Sequence, residues 1–354
     1  MDQLVVGELI VIAIMGAITW LARIARQPGL RRFLRTILLV VSISTTTLLV
    51  ASVALFIVLL PSLLMYLLEA YGWRVTLGDW ADRLPFWRLW AIRTAGEVVN
   101  MTTPTAYVGG EPLKALLLKR HGVPMVEGMA SVVTAKTTMT IAQILFILAG
   151  MALGFWLLGG KGSAGQMIMA GLASVGLLVF GVGAFMLVQR HGMFTGILGL
   201  LRKVGLRMAY LEAREEKLRE LDRTIAGFYT HDRSGFLLST MMFLLGWLAE
   251  ALEVYVMIAC LGQPATVLSA LAIGALSVFI KGGTFFIPGS LGAQDAGNLL
   301  LVTAFGYSEV TGITFALLRR FRELVWIGLG LLCFALVARH VDTSPESPAG
   351  PVAL

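Results

Sequence analysis

Charge is scarce in this chain. Only 14% of its 354 residues are Asp, Glu, Lys or Arg, where a soluble domain carries about a quarter. With 57% hydrophobic residues, that scarcity excludes an ordinary soluble domain and gives a polytopic membrane protein, read in spans. Cysteine is nearly missing. Cys260 and Cys333 each lie inside an apolar run without ligand-like spacing, which argues against a disulfide framework or a thiolate metal site. The four histidines, His121, His191, His231 and His340, sit at segment ends beside basic residues, and no HExxH spacing occurs. No nucleotide-phosphate loop and no GxSxG elbow is present either. These absences argue against an ordinary hydrolytic enzyme and against ATP as a driving force, and no motif calls for a cofactor or a metal. The net charge of +7 comes from bases in short loops and at helix ends, where anionic lipid and cytoplasmic retention explain them. No basic run is interleaved with aromatics, so nucleic acid is not an expected partner.

What is present is a duplicated interruption. The stretch from Asn100 to Lys136 breaks a hydrophobic segment with Pro104, Gly109, Gly110 and Pro112, and sets Glu111, Lys114 and Lys136 among apolar neighbours. A second stretch, residues 284–320, repeats it at one gapless offset of 184 positions. Pro104 then meets Pro288, Glu111 meets Asp295, Gly122 meets Gly306, and Lys136 meets Arg320. Helix breakers, acids and bases dominate the matches, which a bias toward Leu and Ala would not produce. We read an internal repeat.

In chain order, the first apolar span is Leu4–Leu21, preceded by acids rather than the positive region of a cleaved leader. A linker holding Arg23, Arg26, Arg31, Arg32 and Arg35 leads to a second span, from about Thr36 past Leu60, with Pro61 as a kink. Residues 69–84, with Trp73 and Trp80, read as an interfacial stretch, because indole rings favour the membrane boundary. Phe86–Met101 is amphipathic, carrying Arg88, Arg93 and Glu97. Pro112–Leu118 is a short helical piece. Spans follow at Met125–Leu158, Met167–Val188, Phe236–Leu261 and Val310–Ala338, the first of them carrying a Gly150/Gly154 close-packing pair. The insert 190–233 reads as a cytoplasmic amphipathic helix, its bases including Arg202, Lys203, Arg214 and Arg219, packed under the bundle. Val267–Ile280 enters the second motif at Lys281, and Ala296–Phe305 is its second limb. Glu250 and Glu253 share a helical side, and Arg319, Arg320, Arg322 and Glu323 cluster on the last span. The expected fold is therefore an all-α membrane domain over residues 1–340, with six full spans and two broken or re-entrant hairpins. A disordered tail is expected over 341–354.

Irregular backbone survives in a bilayer only where protein buries it or water reaches it. A break rich in Pro and Gly thus implies a sheltered cavity, with half-helix N-termini presenting N–H groups and positive dipole ends to an anion. A charge at bilayer depth costs about 2.5–3.5 kcal/mol, so each charge is kept either by pairing or by function. Glu111 with Lys114 or Lys136, and Asp295 with Arg320, are the pairs expected on the first account. On the second, Glu111, Lys114, Lys136, Asp295, Arg319, Arg320 and Lys281 bind substrate, while Asn100, Pro104, Gly109, Gly110, Pro288, Gly289 and Gly292 form the breaks and gates. The short limbs favour re-entrant hairpins, which three intervening spans would make an inverted repeat. The linker Arg23 to Arg35 favours full crossings and a parallel repeat. The hairpin arrangement is the one adopted.

Asn100, Pro104, Gly109-Gly110-Glu111, Gly122 and Lys136, then Pro288-Gly289, Gly292, Asp295, Gly306 and Arg320, resemble the transmembrane domain of lysylphosphatidylglycerol synthases. The likeness runs from the second span to the last. It includes stand-alone forms, some associated with hopanoid synthesis. Asp295 departs from the glutamate associated with the family. Only a short tail follows the last span, so the soluble aminoacyl-transferring domain has no expected place. The resemblance implies a multi-pass protein of the bacterial inner membrane that moves an anionic phospholipid, a polyprenyl-linked lipid or a hopanoid-related lipid between leaflets, without covalent chemistry. Two other readings remain open: a membrane scaffold for a lipid-modifying enzyme, and an intramembrane enzyme using Glu111 or Asp295 as a base.

Overall fold

The computed structural model describes residues 36, 55–103, 109–158, 176, 179–203, 213–284 and 287–339. The span expected at Leu4–Leu21, the arginine linker after it, Pro104, residues 159–175, residues 204–212 of the insert and the tail lie outside them. The chain divides into two units, Met1–Val58 and Leu59–Leu354, and the packing below is that of the second.

All regular structure among the described residues is helical. In chain order the helices are α1 (Leu55–Thr76), α2 (Phe86–Thr102), α3 (Gly110–Arg120), α4 (Met125–Leu158), α5 (Val179–Arg190), α6 (Met193–Lys203), α7 (Glu215–His231), α8 (Arg233–Cys260), α9 (Val267–Gly283), α10 (Ala293–Ala304) and α11 (Glu309–Arg339). Four of them, α1, α4, α8 and α11, are long and apolar enough to cross a membrane, and α5 with α6, bent by 88°, makes a fifth candidate.

Local chemistry sets the ends. α3 and α10 both stop at a glycine of positive φ, Gly122 (87°) and Gly306 (90°). At each, the N–H one residue on reaches back across the turn, Val123 to Leu118 O (3.1 Å) and Tyr307 to Val302 O (3.3 Å). This is the Schellman closure, and a Cβ at the left-handed position opposes it. Pro112 sits in the first turn of α3, where its missing N–H costs nothing. Pro61 stays inside α1. Trp73, expected at the bilayer surface, is instead buried near the end of α1, its Nε1 donating to Ser131 Oγ (3.3 Å). α1 does not end at the polar residues, because Glu69 finds a cation in the core.

α2 packs along α11, and α9 packs along α4. Both contacts are close at a glycine of the longer helix: Gly330 faces Thr94 and Val98, and Gly150 faces Ala275, where any side chain would collide. α8 lies against α4 and α9, and α7 against α4. The described residues of the insert thus include two separate helices, α6 and α7, where one amphipathic helix was expected. α7 buries Leu221, Ile225 and Tyr229 against Ala130 of α4, with Val126 and Met129 packed beside them. Asp222 fixes the bend before α6: its carboxylate accepts from Phe194 N (3.0 Å), Thr195 N (2.9 Å) and Thr195 Oγ1 (2.8 Å).

Candidate functional site

The first interruption is tied by Asn100. Its Oδ1 accepts from Gly110 N (2.7 Å) and its Nδ2 donates to Glu111 Oε1 (3.1 Å). Glu111 is also reached by Lys114 (3.1 Å) and Lys136 (3.4 Å), and Lys114 continues to Glu97 (2.7 Å). α3 lies close on α2 because Gly96 has no side chain; a Cβ there would fall 2.5 Å from Lys114.

The second interruption is tied by Arg320. Its guanidinium grips Asp295 with two bonds (2.7 and 3.0 Å), donates to Gly289 O (2.9 Å) and Ser290 O (3.2 Å), and reaches Glu323 (2.6 Å). Asp295 also accepts from Gly292 N (3.0 Å), capping α10. The turn at Pro288–Ser290 packs on the end of α2, so the two interruptions adjoin. The half-helix N-termini expected to face an anion are thus answered from within, by Asn100 and by Asp295.

Three further buried pairs hold the helices together. Arg93 pairs with Glu69, Arg319 with Glu250, and Arg322 with Glu253 (3.1 Å) and Glu250 (3.6 Å). Between these pairs lies a cavity of about 260 Å³. Its charged lining is Glu69, Glu97, Glu250 and Glu323 with Arg93, Lys136, Lys281 and Arg322; Tyr66, Trp247 and Trp326 supply aromatic wall. Glu111 and Lys114 line a recess of about 20 Å³ that shares Arg93, Glu97 and Lys136 with the cavity.

Of the residues expected to line one central cavity, Lys136 and Lys281 do so. Glu111 and Lys114 stand in the recess beside it. Asp295, Arg319 and Arg320 line neither space: Arg320 is turned toward the loop carbonyls and Asp295, and Arg319 toward Glu250. Among the breaks, Asn100, Gly110, Gly289 and Gly292 take part in the ties described, and Gly109 precedes α3. Pro288 opens the turn that packs on α2. The expected set left out Glu69, Arg93, Glu97, Glu250, Glu253, Arg322 and Glu323. The signal for them was helical spacing of charge on apolar segments, Arg93 with Glu97 and Glu250 with Glu253.

The bases divide by exposure. Side chains of Arg93, Lys114, Arg319 and Arg322 are at most 7% exposed, whereas Lys136 is 32% and Lys281 29% exposed. Each of these two ammonium groups stands 3.4 Å from a carboxylate, Glu111 for Lys136 and Glu323 for Lys281. They are the part-exposed bases of the cavity lining, where Arg93 and Arg322 are buried. No group of three His, Cys, Asp or Glu residues is arranged for a metal among the described residues.

No curated protein and no solved structure matches the chain. The family model described as the lysylphosphatidylglycerol synthase TM region matches residues 9–331. With several membrane-crossing helices around a charged cavity and that match over most of its length, the chain belongs to the family of lysylphosphatidylglycerol synthase transmembrane regions, multi-pass membrane proteins tied to lipid.

Proposed function

We propose that the protein is a lipid translocase. It takes the anionic headgroup of a phospholipid or polyprenyl-linked lipid between Lys136 and Lys281 and passes it between leaflets without covalent chemistry. The observation that carries this reading is the pair of part-exposed ammonium groups on one cavity whose other bases, Arg93 and Arg322, are buried. A cavity of about 260 Å³ suits a headgroup and leaves acyl chains in the bilayer.

The duplicated architecture supports a rocking mechanism. At the offset of 184, α3 and α10, both glycine closures and the starts of α4 and α11 correspond. So do the cross-contacts, since α2 on α11 maps to α9 on α4. Two halves exchanging partners in this way fit an inverted repeat with a site between them. Six full spans, counting those outside the described residues, are part of this proposal. The test is mass spectrometry of lipid retained on gently purified protein. Wild type is expected to carry an anionic lipid that the Lys136→Met/Lys281→Met variant loses while it remains folded. Retention of the same lipid by both overturns the site. A scaffold with purely structural charges would instead lose stability.

A further inference from the structure

Among the described residues, the ion-paired side chains in and next to the cavity are formally balanced: seven carboxylates (Glu69, Glu97, Glu111, Glu250, Glu253, Asp295, Glu323) meet seven bases (Arg93, Lys114, Lys136, Lys281, Arg319, Arg320, Arg322). An anionic headgroup entering this site breaks the balance by one charge. Uncompensated charge in a low-dielectric interior is costly, so the cheapest entry is one that brings a proton.

The group best placed to take that proton is Glu253. Among the described residues it is fully buried, and its Oε1 has no hydrogen-bond partner. Its Oε2 accepts only from Arg322 NH1 (3.1 Å), and Arg322 lines the cavity. The other carboxylates are held differently. Asp295 has both oxygens on Arg320, and Glu250 and Glu323 each answer two bases. Glu111 answers Lys114 and Lys136. Glu69 and Glu97 line the cavity and each keep one close pair, with Arg93 and Lys114, and neither has an oxygen that is both sealed from the cavity and unbonded. The charges acting on Glu253 are Arg322 and Arg319 from α11 and Glu250 from its own helix. Of the neighbouring elements, Lys281 of α9 acts on Glu250, Glu69 of α1 is set against Glu250, and Lys136 of α4 acts on Glu97.

Resting on the translocase reading above, we propose that Glu253 binds one proton each time an anionic headgroup enters, so that lipid and proton move together. The anion draws Arg322 toward the cavity. Glu253, which itself does not line the cavity, is left without its cation, and hydronium entering where Arg322 stood gives it a proton: an O–H bond forms on the carboxylate and water remains. When the anion leaves, Arg322 returns to Glu253 and the proton passes back to water. The charge of the site is the same at the start, with the lipid bound and at the end.

The experiment is calorimetric titration of the protein in non-ionic detergent with dihexanoyl phosphatidylglycerol, a monoanion that does not itself titrate between about pH 5 and pH 8. Repeating it in buffers of different ionisation enthalpy counts the protons. Wild type is expected to take up about one proton per lipid, its affinity falling about tenfold per pH unit while Glu253 starts ionised. Glu253→Gln is expected to bind with no uptake and a flat profile, and Glu253→Asp to keep the uptake with a displaced carboxylic-acid infrared band. Wild-type binding without uptake, or equal uptake by Glu253→Gln, overturns the proton role and leaves the translocase reading standing. No binding by wild type overturns both. If Glu253→Gln does not fold, the wild-type profile and the Glu253→Asp band decide.

Discussion

Consider the pair that ties α2 to α1. Glu69 is 4% exposed and so is Arg93, and the guanidinium donates directly to the carboxylate. Arg93 also stacks over Tyr66, 5.3 Å from its ring centre. Arg93→Met keeps much of the side-chain volume and removes the charge. It leaves Glu69 as a buried anion with its partner gone, and breaking such a pair costs about 3–5 kcal/mol. Glu69→Leu in the same protein removes the stranded anion. The double variant is therefore expected to recover most of the loss, because a well-packed apolar pair is often as stable as the ion pair it replaces. The coupling energy across the double-mutant cycle should then be about 2 kcal/mol or more. The assay is equilibrium unfolding in mixed micelles, read by tryptophan fluorescence. A cost below about 1 kcal/mol for Arg93→Met, or single-variant losses that simply add, would refute the claim that these charges are braces.

Further outcomes follow from the same geometry. Arg320→Ala frees Asp295 and uncovers the carbonyls of Gly289 and Ser290. Because Arg320 and Asp295 are 20% and 35% exposed, the expected loss is smaller, about 1–3 kcal/mol, with protease sensitivity appearing at the 288–292 turn. Gly306→Ala, at a φ of 90°, should cost about 1–2 kcal/mol by thermal denaturation. Asp222→Ala removes the cap at the start of α6 and should cost about 0.5–2 kcal/mol, visible as faster amide exchange at Phe194 and Thr195. Burial pushes the Tyr229 phenol up from 10.0 to about 12. The unfolded chain then loses that proton first, so this contribution is complete below pH 10 and falls as pH rises from 10 to about 12. Tyr229→Phe should flatten that alkaline slope in a denaturation series against pH.

Much of the helix layout was legible because apolar runs and breakers are local signals. Met125–Leu158 was bounded to the residue, and α8, α9 and α11 to within a few residues, since Gly, Pro and charge mark where such helices stop. The pairs of Glu111 with Lys114 and Lys136, and of Asp295 with Arg320, were legible as well, because the offset aligned them. The division of labour among the bases was not. Whether Arg320 faces the cavity or the loop carbonyls depends on how α11 is rotated about its axis, which two adjacent arginines do not encode. Glu69 paired with Arg93, 24 positions away, looked like the start of an interfacial stretch, since its partner is set by packing rather than spacing. Glu253 and Arg322 were visible as charges on apolar helices, but their meeting across 69 positions belongs to the fold.

The central claim is that Lys136 and Lys281 hold a lipid headgroup which the protein carries across the bilayer. Its most direct measurement is dithionite quenching of fluorescent phosphatidylglycerol in proteoliposomes, comparing wild type, Lys136→Met/Lys281→Met and protein-free vesicles. Wild type is expected to expose inner-leaflet lipid to the quencher, and the folded double variant to fall to the protein-free rate. Equal rates for wild type and double variant would contradict it.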